Sequence, residues 1–345
     1  MKSSENLLRK GSDSMADFSV ETPEIFCALD PLGASIARVL VLTETHGWID
    51  VAMAPDRFDP SVPDPALAGR TIGPCCGRIR DGEIQIGEKR YALTQNEGEN
   101  HIHGGPGGCA FAHWEGRQLG LDRVVFSLSL DDGQDGYPGC RRLQAEYYAV
   151  GRTLSVRYTA VTDRETFLDM TNHVYWDLSG RFDGSALDQM LEIASRQVVL
   201  NDDHHLPFAI ASSDNAFDFR CPCSIREKLS AYQKEPQLLI GRGYNNAFLL
   251  DDVLRREMSC SGRLFSPSSD LSMWLRTNAP CLVFYSGGFL ESPGPPVRST
   301  PGKAVALEAQ QVPDSFHLPG VTTSVLLPGQ VFLREIFWEF KTSIS

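Results

Sequence analysis

Alternation with a period of two dominates this chain. In RVVFSLSL, Arg123 to Leu130, the apolar Phe126, Leu128 and Leu130 alternate with Ser127 and Ser129, the pattern of a strand with one face buried and one wet. RLQAEYYAVGRTLSVRYTAV extends it as two alternating runs on either side of Gly151, which predicts a hairpin. Three more strand-like runs, AVALEAQQV, TTSVLLPG and QVFLREIFWEF, follow towards the C-terminus between turn residues. Helical periodicity is weak, with LDQMLEIASR and SIREKLSAYQ as short candidates. Many strands punctuated by Gly and Pro, with few short helices, predict an all-β fold built as a large antiparallel sandwich or barrel.

Three segments rich in Pro, Gly and Asp interrupt this pattern: DRFDPSVPDPALAGRTIGP, NDDHHLPFAIASSDNAFDFRCPC and ESPGPPVRSTPG. Loops of this length on a β scaffold commonly build or cover a binding site. The polar start of the chain predicts a mobile tail over residues 1–17. No linker composition and no fixed-period repeat divides the remainder, so residues 18–345 are expected to form one domain.

Composition narrows the partners more than the fold. With 42% apolar and 22% charged residues, the chain has the balance of a globular protein with a sizeable core. A net charge of −12 without a concentrated basic patch argues against nucleic acid and anionic membrane surfaces, both polyanions. No apolar run has the length of a bilayer span or of a secretory signal, which leaves the cytoplasm as the expected location. The nine cysteines are scattered, with Cys75 beside Cys76, and Cys221 separated from Cys223 by proline. They read as free, mostly buried thiols of a reducing compartment rather than as a zinc cage.

Four places carry candidate chemistry. In NEGENHIHGG, His101 and His103 lie two apart, and on a strand that spacing puts both on one face, where a pair can share a metal ion as in the cupins. A cupin-like site adds a glutamate four or five residues on, and those positions are Gly107 and Gly108. The glycines point instead to a backbone turning beside a ligand, with a histidine free to donate a hydrogen bond. In TNHVYWDLSG, a continuous strand would set Thr171, His173, Tyr175 and Asp177 on one face, and Val174, Trp176 and Leu178 on the other. His173 is then either an acid or base in a cleft or a hydrogen-bonded surface histidine. Glu308 sits in the apolar AVALEAQQV. It is either a desolvated carboxylate with a raised pKa or an ordinary glutamate on a wet sheet face. Arg78, in CCGRIRDG, can hold several hydroxyls or a carboxylate at once, or can join Arg80 in solvating a strand edge. GGPGG lacks the order of a nucleotide-binding loop, and no Gly-x-Ser-x-Gly elbow occurs.

Taken in order, GRIRDG, NEGENHIHGG, DGYPG, TNHVYWDLSG, FDFR, GYNNAFLL, PCLVFYSGGFL and LEAQQVPDSF resemble the aldose 1-epimerase (galactose mutarotase) family across most of the chain. The resemblance implies a galactose mutarotase-like β-sandwich with a sugar cleft lined by Arg78, His103, His173 and Glu308. It implies interconversion of the α- and β-anomers of a free aldose, with Glu308 as base, His173 as acid, and no metal or cofactor. Arg78 and His103 would hold hydroxyls and the opening ring oxygen. Three positions depart from the family pattern. Gly77 stands where asparagine is usual before the arginine, Asn245 where an aspartate holds a sugar hydroxyl, and Val283 where a glutamine is expected. These losses raise two alternatives, a sugar-binding or sugar-sensing protein without turnover and an epimerase for phosphorylated sugars. Oligomeric state is not encoded in these motifs.

Overall fold

The computed structural model describes residues 17–53, 66–292, 298–299 and 302–342. The tail expected over 1–17 lies, apart from Asp17, outside the described residues. So do residues 54–65, which take in the first part of the first Pro-rich segment, and most of the third.

Every strand pairing among the described residues is antiparallel. The larger sheet has nine strands, in the order Glu115–Gly120, Arg123–Leu130, Arg141–Val150, Thr153–Thr162, Phe332–Thr342, Leu271–Thr277, Gly262–Ser266, Met190–Ile193 and Cys223–Ser224. A second sheet of six runs Tyr175–Trp176, Val305–Gln310, Cys281–Tyr285, Asn245–Leu250, Ser195–Asn201 and Pro207–Ser212. A four-stranded sheet of residues 18–50 completes the main framework. The chain is therefore the antiparallel all-β sandwich that its alternation predicts.

One hydrophobic cluster joins the two large sheets. Phe126, Tyr147, Val156, Trp338 and Phe340 enter from the nine-stranded side, and Phe248, Leu282, Phe284, Val305, Leu307 and Ala309 from the six-stranded side. Trp176 bridges the layers, its ring 5.6 Å from that of Trp338. Because alternate residues of a strand face opposite ways, the register that sends Val305, Leu307 and Ala309 inwards sends Ala306, Glu308 and Gln310 to the outer face of the six-stranded sheet. That face is covered too, since every residue of Val305–Gln310 is buried.

The hairpin around Gly151 forms as predicted, with Gly151 at φ 54. SIREKLSAYQ yields the helix Ile225–Ala231, whose first turn is capped by the Ser224 side chain accepting from the Glu227 amide. Two further short helices, Pro236–Ile240 and Asp252–Met258, escaped the periodicity. LDQMLEIASR is not a helix. After a 3₁₀ turn at Ser185–Asp188, Met190–Ile193 pairs with Gly262–Ser266 and Cys223–Ser224, and Ser195 begins another strand. Ladder pairing with two neighbours, together with burial of Leu191 and Ile193, outweighs the intrinsic preference of the segment. The middle Pro-rich segment also contains a strand, Pro207–Ser212, at the edge of the six-stranded sheet. Among the described residues no helix is long and apolar enough to cross a membrane.

Candidate active site

Glu308 lies on the covered outer face of the six-stranded sheet, and the candidate site is built around it. Its cross-strand neighbour is Val283, which faces Ala247 in turn. Val283 and Ala247 belong to an apolar cluster with Val199, Cys281, Val312 and Leu318. The Glu308 side chain is only 6% exposed, and among the described residues its one charged or polar contact is His173, Nε2 to Oε2 3.8 Å. Burial raises the Glu308 pKa above the usual carboxylate range, and the His173 imidazole partly offsets the rise. The carboxylate is thus of the desolvated kind.

His173 reaches Glu308 because the chain changes partners around it. Thr171–Asn172 pairs with Thr71–Ile72, whereas Tyr175–Trp176 pairs with Val305–Ala306 beside Glu308. Between these two short strands the His173 amide donates to the Arg70 carbonyl, and its own carbonyl accepts from the Gly69 amide. The continuous strand expected here is therefore broken. His173 and Tyr175 still share the cleft, their rings 4.9 Å apart. Asp177 does not join them: its carboxylate accepts from Ser179 and from the Phe182 amide and caps a turn.

His101 and His103 part company. His101 is fully buried; Nδ1–H donates to the Thr94 carbonyl at 2.7 Å and Nε2 accepts from the Tyr137 hydroxyl at 2.8 Å. It is a structural histidine. His103 leaves the short strand with φ 52, and its ring packs edge-on against His173 at 5.6 Å. The Gly77 amide donates to His103 Nδ1 at 3.3 Å, which leaves the ring proton on Nε2. Burial, with the charges of His173 and Arg78, holds the His103 pKa well below its ordinary value, so the ring is a neutral donor at neutral pH. The two histidines do not converge on a shared ligand position.

Arg78 pairs in register with Ile102, next to His103. Its Nε and Nη2 donate to the two carboxylate oxygens of Glu97, each at 2.6 Å, a bidentate clamp that fixes the plane of the guanidinium. Glu97 stands in the NEGENHIHGG motif, but nothing in its spacing gave it this role. Gly77 has φ 74, and a Cβ there would meet Pro313 at 3.1 Å. A left-handed backbone suits glycine first and asparagine next. Glycine at position 77 therefore supplies the backbone geometry that presents its amide to His103.

Asn245 lies opposite Tyr285 in the ladder, which in turn lies opposite Ala306. Residues directly opposite point the same way, so Asn245 shares the cleft face with Glu308. Tyr285 links this side to the other, its ring 6.1 Å from Tyr175 and its hydroxyl accepting from the Phe289 amide at 2.6 Å. Sequence reasoning singled out Arg78, His103, His173, Asn245 and Glu308, which the structure gathers here, and missed Glu97 and Tyr285.

The antiparallel sandwich, with Glu308, His173 and His103 gathered over one outer face, is of the galactose mutarotase-like class. Its structural neighbours agree. A GalM/aldose epimerase homologue from C. elegans superposes with a TM-score of 0.82 at 25% identity, over 94% of this chain and 98% of the other. The galactose 1-epimerase of Lactobacillus acidophilus NCFM gives 0.80 at 27%, over 94% and 93%. In sequence, residues 28–336 match the family described as Aldose 1-epimerase. The aldose 1-epimerase of Escherichia coli K12 is 30% identical over 261 residues, 74% of this chain and 73% of that one. The galactose mutarotase of Bos taurus is 25% identical over 344 residues, 96% of each. The chain belongs to the aldose 1-epimerase family.

Proposed function

We propose that this protein interconverts the α- and β-anomers of a free aldose, with Glu308 and His173 exchanging protons with the two oxygens on the anomeric carbon. The observation that carries the reading is the approach of a desolvated carboxylate and an imidazole to 3.8 Å. The anomeric hydroxyl and the ring oxygen hang from one carbon, so the groups that serve them must stand side by side. In the forward direction Glu308 takes the proton of the anomeric hydroxyl while His173, protonated, gives one to the ring oxygen. The bond from anomeric carbon to ring oxygen breaks and a carbonyl forms. Rotation about the adjacent carbon–carbon bond presents the other face. His173 then recovers its proton as the ring oxygen attacks, and Glu308 returns its own to the new hydroxyl.

His103, as a neutral Nε2 donor, and Arg78, clamped by Glu97, fit the task of holding sugar oxygens in a fixed orientation. Asn245 offers an uncharged amide to a hydroxyl that the family's aspartate would take. The nine free thiols favour a reducing compartment, and we place the protein in the cytoplasm. The test is polarimetry of freshly dissolved α-anomers across a panel of aldoses. Wild-type protein accelerates the decay of rotation for at least one of them; folded protein that accelerates none refutes the reading.

The raised pKa of Glu308 sets the pH dependence. The base works ionised, so kcat/KM is expected to fall as pH drops, on a limb lying above the ordinary carboxylate range. Val283→Gln puts an amide beside the carboxylate in place of an apolar wall, and a donor to the charged form lowers its pKa. The acid limb should move to lower pH in that variant. Asn245→Asp should lower KM for galactose by about tenfold, the difference between a neutral and a charge-assisted hydrogen bond to a hydroxyl. Initial-rate polarimetry measures both.

A further inference from the structure

The rim of the cleft extends to a residue outside the family motifs. From Glu308 one side runs through His173, His103 and the Arg78–Glu97 clamp. The other runs through Tyr285 and Phe289. This second side ends at His205, whose ring stands edge-on to Phe289 at 5.2 Å and 86°. His205 also lies within the fields of Arg78, Glu97, Asp202 and Arg242.

The chain around His205 is built to present it. The residue adopts φ 61, a left-handed conformation that needs support from its surroundings. Asp202 supplies that support. Its Oδ1 accepts from the His204 and Leu206 amides at 3.0 Å each, its carbonyl accepts from the His205 amide at 3.0 Å, and its amide donates to the Leu206 carbonyl at 2.9 Å. Arg80 ties the turn to the body: Nη2 donates to Asp202 Oδ2 at 3.2 Å and to the Pro207 carbonyl at 3.4 Å, while Nε stands 3.8 Å from the buried Asp314. With this much bracing, the His205 Nδ1 is nevertheless buried with no hydrogen-bond partner among the described residues. A buried nitrogen is closed to a ligand as well as to water, so Nε2, which makes no hydrogen bond among the described residues, is the ring atom left to meet a substrate hydroxyl.

We propose that His205 is a further substrate-binding residue, whose imidazole takes a hydroxyl on the part of the aldose remote from the anomeric carbon and so sets which sugars are preferred. The assignment to the remote end follows from the contacts of each ring: His173 stands 3.8 Å from Glu308 and packs on His103 and Tyr175, whereas the described ring contact of His205 is with Phe289. Burial and the Arg78 charge lower the His205 pKa, so the ring is neutral at neutral pH and can donate or accept with a hydroxyl. The site thereby gains a polar contact on the rim, where the family's aspartate and glutamine are absent.

This inference rests on the epimerase reading, and the test separates the two. Rates for wild type, His205→Leu and His205→Gln are measured by polarimetry or exchange NMR on glucose, galactose and their 4-deoxy and 6-deoxy analogues, with folding checked by thermal melt. For a preferred hexose, His205→Leu should raise KM about five- to tenfold with kcat nearly unchanged, the mark of an interaction made equally in ground and transition states. His205→Gln should recover part of that loss. For one deoxy analogue the wild type should already show the loss and His205→Leu should add nothing, which identifies the hydroxyl held as O4 or O6. Equal changes on every sugar and analogue, a fall in kcat alone, or no change in either variant would overturn the proposal. Wild-type protein without acceleration on any aldose would refute the parent reading instead.

Discussion

Glu308→Gln is expected to lower kcat for anomer interconversion by about 10²–10⁴-fold, the usual contribution of one positioned acid–base group, while making the protein more stable at neutral pH. The two halves of this result have one cause. Glu308 is nearly fully buried, faces an apolar wall that includes Val283, and has His173 3.8 Å away as its polar company. Glutamine fills the same space and cannot take a proton. The stability half follows from linkage. Because the folded-state pKa of Glu308 is raised, its contribution to stability is fully present below the unfolded pKa and is lost as pH rises through the folded pKa. At neutral pH the wild type therefore carries the cost of an ionised, desolvated carboxylate, and the glutamine variant does not. Denaturant unfolding at neutral pH should show the variant ahead, with the gap closing as pH falls towards the acid range. A variant that keeps the wild-type rate would remove Glu308 from the chemistry. One that is inactive and also less stable at neutral pH would mean that the carboxylate holds the fold together.

The parts of this molecule legible from its sequence are those where a side chain's fate is decided by its immediate neighbours. Ser127 and Ser129 alternate with apolar residues, and the strand Arg123–Leu130 forms over that span. Gly151 sits between two such runs and turns them into a hairpin. Glu308 stood out as a carboxylate in an apolar strand, but whether its face was wet or covered depended on Val312 and Leu318 folding back over it, which strand periodicity does not encode. His173 was visible as a candidate, yet the break in its strand was not. The break arises because Tyr175–Trp176 finds a partner at Val305–Ala306, far along the chain. LDQMLEIASR misled because its apolar residues satisfy both periods over so short a run. Glu97 and His205 act through loops whose conformations come from side-chain-to-backbone hydrogen bonds, such as those to Asp202. Order along the chain carried the family resemblance; it did not carry which loop residues complete the rim.

Behind the cleft, Asp169→Ala should destabilise the protein by about 3–5 kcal/mol, as expected when one partner of a buried ion pair is removed and the other charge is stranded. Arg334 Nη2 donates to Asp169 Oδ1 at 2.8 Å, with the side chains only 5% and 2% exposed. The pair also ties the site together. Asp169 Oδ2 accepts from the Gln311 amide at 2.8 Å, three residues beyond Glu308, and the Asp169 amide donates to the Pro74 carbonyl at 2.8 Å, on the loop leading to Arg78. Gln311 Nε2 donates to the Leu168 carbonyl at 3.1 Å, and Gln310 Nε2 to the Cys76 carbonyl at 3.5 Å. The Asp169 carboxylate thus ties the segment leading to His173 to the strand end just beyond Glu308, so the protein that remains folded should also lose kcat through misplacement of these two groups. The double variant Asp169→Leu/Arg334→Met strands no charge and should regain most of the stability, since a well-packed apolar pair often equals a buried ion pair. It should regain less of the activity, because the acceptor for the Gln311 amide is gone. Denaturant unfolding and initial rates on the same three proteins make the comparison. Equal recovery of stability and rate in the double variant would show that the ion pair supports the fold without aligning the cleft.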